Sequence, residues 1–323
     1  MNALSRRNFI RVSACAATVA AGRGAFAQDD LIKLVVSYPA GGTGDIVTRL
    51  VALKMAKNMG QPVVVENRPG ASGRVGVQAL KRAPADGRTL LMTNIAPMVL
   101  GPLVWKTPGF DPVNDVIPVA HVMEYGLAYA VAPNVPAKNL QEYAKWVSAD
   151  PRNAVFGSPA VGGLAHFLGL QLGRALGVEL THVGYKGSPP LNNDLMTGQI
   201  PASFDTLDVQ LRARNARILG TTGAKRSPFL PNVPTFTEQG FPSVQGGVGW
   251  FGFFAVAKTP KQLVDRLSQE ISAAVRDPEV AERVRSLLCV PTGSTPEEFT
   301  RLIEADRAKW TPVVKSSGLV LEE

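Results

Sequence analysis

The residues of this chain that could do chemistry are few, and most of them are glycines. Leu34-Val35-Val36-Ser37-Tyr38-Pro39-Ala40-Gly41-Gly42-Thr43-Gly44-Asp45 reads as a strand, a glycine loop and a helix start, and Ala154-Val155-Phe156-Gly157-Ser158-Pro159-Ala160-Val161-Gly162-Gly163 has the same form. The first turn of a helix carries backbone N–H groups without intrahelical partners and a partial positive charge, so a glycine loop there lets an anion approach the backbone closely. Two such units in separate halves predict a clamp around a small anion. Tyr38, Ala40, Gly41, Gly42, Thr43 and Asp45 would form one side, and Ser158, Gly162 and Gly163 the other. For Asp45 a second reading stays open, that of helix N-cap in a tight turn.

Other chemistries lack their residues. His121, His166 and His182 are scattered, no cysteines are paired and no His-Glu-x-x-His occurs, so no metal site is expected. The hydrolase elbow Gly-x-Ser-x-Gly is missing: Gly70-Ala71-Ser72-Gly73 lacks a residue and Gly157-Ser158-Pro159 lacks the last glycine. The loop at 41–44 is neither a Walker A sequence nor a dinucleotide fingerprint, and no cofactor is expected. Asp45, His166 and Asp205 are the acid-base candidates. His166 falls on the first turns of the helix after the second loop, where packing is the better reading and a cleft-facing ring the alternative. Lys186 follows a strand in Tyr185-Lys186-Gly187 and is either a ligand contact or a solvated lysine. Asp205 ends a strand at the expected rim, or caps the next helix.

The elements around these residues alternate. Strands are expected at 31–37, 62–66, 89–93 and 116–121, with helices at 45–59, 73–82 and 96–104, a pattern that predicts α/β layers around a mainly parallel sheet. In the first helix Ile46, Leu50 and Leu53, flanked by Val47, Val51 and Met55, form the apolar stripe, and Gly60 closes it. A strand from Tyr125 to Ala132 would cross into a second lobe, followed by a helix opened by Lys138 or Asn139. Strands at 153–157, 180–184, 200–204 and 216–221 and helices at 163–176, 189–198 and 207–214 repeat the pattern there. The run Trp250 to Val256 would cross back, before helices at 260–276, 278–288 and 296–316 that start at Asp277-Pro278 and Thr295-Pro296. Two crossings make a hinged molecule: residues 28–127 plus 251–323 as one lobe, 128–250 as the other, with a cleft between the loops.

The N-terminus sets the compartment. Ser5-Arg6-Arg7-Asn8-Phe9-Ile10-Arg11, a short apolar stretch and Ala25-Phe26-Ala27 read as a twin-arginine export signal over 1–27 and a periplasmic product. Its removal takes away Arg6, Arg7, Arg11 and Arg23 and no acid, so the formal charge falls from +8 to +4. The basicity is therefore no footprint of nucleic acid. Cys289 is then left alone, beside Leu287, Leu288 and Val290, as a core residue and not a disulfide partner. No later segment reaches the ~20 apolar residues of a membrane span.

Together, Pro39 to Asp45, Glu66-Asn67-Arg68-Pro69-Gly70-Ala71-Ser72-Gly73, Ala85-Asp86-Gly87-Arg88-Thr89-Leu90-Leu91, Gly157 to His166, Tyr185-Lys186-Gly187, Gly223-Ala224-Lys225-Arg226-Ser227 and Pro231-x-Val233-Pro234-Thr235 resemble the Bug family, the extracytoplasmic solute receptors of tripartite tricarboxylate transporters. The resemblance spans the mature chain in order. It implies a two-lobed periplasmic-binding-protein (Venus flytrap) fold and no covalent chemistry. The expected ligand is a di- or tricarboxylate or an aromatic carboxylate, one carboxylate of which is held by backbone amides and waters between Tyr38–Asp45 and Ser158–Gly163. Thr93, Asn94, Phe156 and Lys186 would meet its far end. Integral membrane transporter subunits are the implied partners of a monomeric receptor. A sensor-kinase partner, or an exported enzyme acting on an organic acid, is the alternative. Gly163 stands where many relatives carry Ser or Thr, and Gly184 where a proline commonly precedes Tyr-Lys-Gly; both bear on ligand identity.

Overall fold

The structure, a computed structural model, describes residues 31–207, 216–244 and 247–322. The export signal and the helix expected at 207–214 fall essentially outside them. Two sheets carry the described chain. The first has six strands in the order β11-β4-β10-β3-β1-β2 and the second five, in the order β7-β6-β8-β5-β9. In chain order these are β1 (Ile32–Val36), β2 (Val63–Asn67), β3 (Thr89–Asn94), β4 (Val116–Tyr125), β5 (Leu127–Val131), β6 (Val155–Ser158), β7 (Thr181–Gly184), β8 (Ala202–Thr206), β9 (Arg217–Thr221), β10 (Gly249–Val256) and β11 (Cys289–Pro291).

The sheets are mixed, which corrects the expectation of mainly parallel ones. β1 runs parallel to β2 and β3, and β6 parallel to β7 and β8, because helices cross between them. The strands that link the two sheets enter antiparallel: β10 against β3 and β4, β5 against β8 and β9. Gly126 alone separates β4 in one sheet from β5 in the other. A Cβ there would lie 2.6 Å from Leu207, so a side chain at the joint is sterically resisted. β10 lies wholly in the first sheet, so the return passes through the segment before Gly249 and not through Trp250 to Val256.

Helix α1 (Thr43–Met59) buries Val47, Thr48, Val51, Ala52 and Met55 on the first sheet and ends at Gly60, whose φ of 67° is the left-handed cap that glycine takes without strain. Leu53 is 69 % exposed, so the buried stripe sits about a quarter-turn from the one expected. The helix expected at 96–104 is a π-turn, Ala96–Leu100, running into Gly101–Val104; Pro97 and Pro102 lack the N–H groups that a regular ladder needs. The start signals hold. Asn139 accepts from the N–H of Glu142, Asp277 accepts from those of Glu279 and Val280, and Thr295 forms a capping box with Glu298. Short β11, unforeseen in the sequence, pairs Cys289 with Tyr125 and buries the thiol.

Candidate functional site

Each glycine loop leaves a parallel strand and enters a helix whose N-terminus no side chain caps. Gly42 is the N-cap of α1 and Gly163 that of α2 (Leu164–Leu176), and neither helix start receives a side-chain hydrogen bond at its cap. Pro39 to Gly42 lie on the surface, whereas Gly162 and Gly163 are buried.

Asp45 is not the N-cap. It lies two residues inside the helix, 3 % exposed, and its carboxylate organises the loop: Oδ2 accepts the Gly41 N–H at 2.9 Å and Oδ1 accepts Asn67 Nδ2 at 2.8 Å. Arg49, one turn on, pairs with it at 3.0 Å. Burial pushes the carboxyl up, but the bonds from Arg49, Gly41 and Asn67 more than reverse this and hold it below the usual carboxylate range. Asn67 also donates to the Tyr38 carbonyl, so the Glu66-Asn67-Arg68 segment buttresses the first loop.

Tyr38 donates its hydroxyl to Asn94 Oδ1 at 2.6 Å, and the same oxygen accepts the Ala96 N–H. Burial pushes the Tyr38 phenol well above its ordinary range, so it stays a neutral donor. Thr93 is fully buried next to Asn94. Antiparallel pairing sets Asn94 opposite Phe251. That ring lies edge-on to Tyr38 at 5.8 Å and against Tyr125 at 5.4 Å, and a Cβ on Gly44 would lie 2.9 Å from it. Phe251 and Tyr125 are thus site neighbours that sequence reading missed. Alternation was the available signal: adjacent Trp250 and Phe251 must point to opposite faces of the sheet.

On the second loop two of the three scattered histidines meet. His166, from the first turn of α2, stacks on His182 of β7 with ring centroids 3.6 Å apart. His166 Nδ1 accepts the Gly162 N–H at 3.1 Å, and His182 Nε2 lies 2.7 Å from Ser158 Oγ, which donates to the Ala160 carbonyl. Burial lowers the His166 pKa to about 4, and burial together with His166 lowers that of His182 to about 3. Both rings are neutral near pH 7. His166 is 5 % exposed and packs between His182 and Phe167.

Phe156 also leaves the cleft. It is fully buried beneath α2, where a Cβ on Gly169 would lie 2.0 Å from its ring, so it is a core residue. Lys186 is exposed beside the second loop, because Tyr185 N–H donates to the Ser158 carbonyl and Gly187 N–H to that of Pro159. Asp205 is buried, and its Oδ1 accepts the Thr206 N–H. Gly184 matches its surroundings, since a Cβ there would meet Val161 at 2.3 Å.

A cavity of about 500 Å³ lies elsewhere, on the Trp250 face of β10, with Glu124, Asp306, Lys309 and Pro242 in its wall. Trp250 Nε1 donates to Asp306 at 2.7 Å, and burial pushes both the Glu124 and Asp306 carboxyls up. Among the described residues no group of three or more His, Cys, Asp or Glu converges as a metal site, and no helix is long and apolar enough to cross a membrane.

Comparison with known proteins identifies the family. The family model described as the tripartite tricarboxylate transporter family receptor matches residues 47–319, which takes in the second loop and begins just after the first. Protein BugT of Bordetella pertussis is 30 % identical over 295 residues, covering 90 % of each chain. An R. palustris protein solved with adipate superposes with a TM-score of 0.83 at 31 % identity, over 90 % of this chain and 98 % of that one. MatC from Rhodopseudomonas palustris, solved with bound malate, gives 0.79 at 28 % identity over 88 % and 98 %. A family model that matches most of its length, and a relative 30 % identical over nine-tenths of both chains, show that the chain belongs to the tripartite tricarboxylate transporter receptor family.

Proposed function

We propose that this protein is a periplasmic receptor that captures a small organic acid, a di- or tricarboxylate or an aromatic carboxylate, and presents it to the membrane subunits of a tripartite tricarboxylate-type transporter. The observation that carries the reading is the pair of uncapped helix N-termini, at Gly42 and Gly163. Each offers free N–H donors to carboxylate oxygens, and each is held in place by side chains that leave those N–H groups alone. Adipate and malate, bound by two structural neighbours, are the first acids to try. Tyr38, Asn94 and Lys186 would meet the rest of the ligand, with the Phe251 ring as an apolar wall and the buried Thr93 behind them.

Residues 28–127 plus 251–323 and residues 128–250 are the lobes that close over it, with Gly126 as one joint. Closure follows from differential affinity, because the second loop's donors reach the ligand only in the closed form. The protein acts as an exported monomer, its signal read as twin-arginine, and leaves its ligand unchanged.

A thermal-shift screen against mono-, di- and tricarboxylates, aromatic acids, amino acids and neutral sugars tests this, followed by calorimetry. An acid at a hundredfold excess over its Kd stabilises by ~2.7 kcal/mol. A response confined to one class of acid is expected, with the ligand intact by NMR after hours. No response to any acid would overturn the carboxylate reading, and turnover of the acid would make the protein an enzyme.

A further inference from the structure

Hydrogen-bond satisfaction assigns the protons of the histidine stack. A nitrogen that accepts the Gly162 N–H carries no proton, so neutral His166 has its proton on Nε2. The Ser158 hydroxyl has one hydrogen, and it points to the Ala160 carbonyl at 3.0 Å. The assignment that satisfies both of its contacts has Ser158 Oγ accept from His182, with that ring's proton also on Nε2. One stack of two parallel rings thus grips the loop at both ends, at Ser158 through His182 and at Gly162 through His166.

Gly162 has a φ of 73°, a left-handed turn just before the N-cap at Gly163. Glycine tolerates either orientation of the peptide plane that precedes it, so an acceptor placed on one side favours one of them. His166 Nδ1 is that acceptor. It withdraws the Gly162 N–H from the donor set and leaves the amides from Gly163 onward at the helix N-terminus. Phe156 packs against His182 at 5.0 Å and Phe167 against His166 at 5.5 Å, so each ring has an aromatic neighbour besides the other.

We propose that the His166–His182 stack is the positioning device of the second anion loop: two positioning residues that touch no ligand and preorganise the donors that do. Its consequence for affinity rests on the carboxylate-receptor reading; its consequence for the loop does not.

The test uses the purified protein, with adipate and malate as probes. Nitrogen-15 NMR of the imidazoles should show the Nε2–H tautomer in both rings, and the Gly162 amide should exchange slowly. In His166→Leu that amide should exchange about tenfold faster and acid affinity should fall about tenfold, the scale of one lost hydrogen bond. His166→Asn, whose Oδ1 can stand in for Nδ1, should restore both. His182→Gln, which keeps a donor near the position of Nε2, should retain both. An Nδ1–H tautomer in either ring, unchanged Gly162 exchange in His166→Leu, or equal losses in the Leu and Asn variants would overturn the positioning role. Wild-type protein with the expected tautomers and exchange that bound neither acid would support the positioning role and count against the carboxylate reading, so the two failures are distinguishable.

Discussion

The carboxylate of Asp45 receives the backbone N–H of Gly41 at 2.9 Å, so the protein's own acid occupies one donor of the loop that is proposed to bind a foreign one. Asp45 therefore supports the site from behind. Asp45→Ala should lose about 2–3 kcal/mol of stability, as charge-assisted bonds to Gly41, Asn67 and Arg49 disappear. Urea unfolding measures the loss, and a change below half a kcal/mol would contradict the account. Because the folded pKa of Asp45 is lowered, its contribution is present above the ordinary aspartate range and is lost as pH falls through the folded value.

Gly163→Asp should exchange function for stability. A Cβ there meets only Ala160, at 3.4 Å, and the helix has no acid in its first turn, so an aspartate N-cap should add about 0.3–1 kcal/mol. The same carboxylate would fill the place of the ligand's, so acid affinity should fall tenfold or more, about 1.4 kcal/mol. Gly163→Ser, uncharged and able to donate, should keep most of the affinity. Unchanged binding in the Asp variant would reduce the loop to a structural turn.

Phe156→Leu should destabilise by about 1–2 kcal/mol and, by loosening the packing on His182, weaken binding of all acids alike without changing the preference among them, as befits a ring under α2. Calorimetry on the folded variant decides, since altered ligand preference would return Phe156 to the cleft.

Acid should weaken the fold through the histidines. In the unfolded chain they take up protons near pH 6.5, whereas folded His121 and His166 resist to about 4 and His182 to about 3. The unfolded state then binds more protons, so this contribution to stability falls as pH drops from about 6.5 to about 4. The raised carboxyls of Glu124 and Asp306 act with the opposite sign, so the differential is decisive. Wild type minus the His166→Asn, His182→Gln double variant should show a stability difference that shrinks across this window. A pH-independent difference would mean that the rings are not held neutral.

What the sequence made legible was local. A strand, two glycines and a helix lie within about a dozen residues, so both loops could be found without knowing their neighbours, and Asn139, Asp277 and Thr295 announce their helices in the same way. Whatever depends on register between distant segments was hidden. His166 and His182 lie on a helix and on an edge strand, and only the parallel pairing of β6 with β7 brings them together. Phe251 reaches the first loop because β10 runs antiparallel to β3. Leu53 looked like a core residue by spacing, but the helix turns Val47, Val51 and Met55 to the sheet instead.

Trp250 sits where β10 begins, its indole nitrogen bonded to Asp306 of the long C-terminal helix (Pro296–Ser317) and its ring in the wall of a cavity that also includes Gly223 and Pro242 from the return segment. The protein thereby carries an unlabelled optical reporter. A rearrangement of the return segment would alter the polarity around this indole, and its emission would follow ligand titration, with Trp250→Phe as the dark control against the signal of Trp105, Trp146 and Trp310.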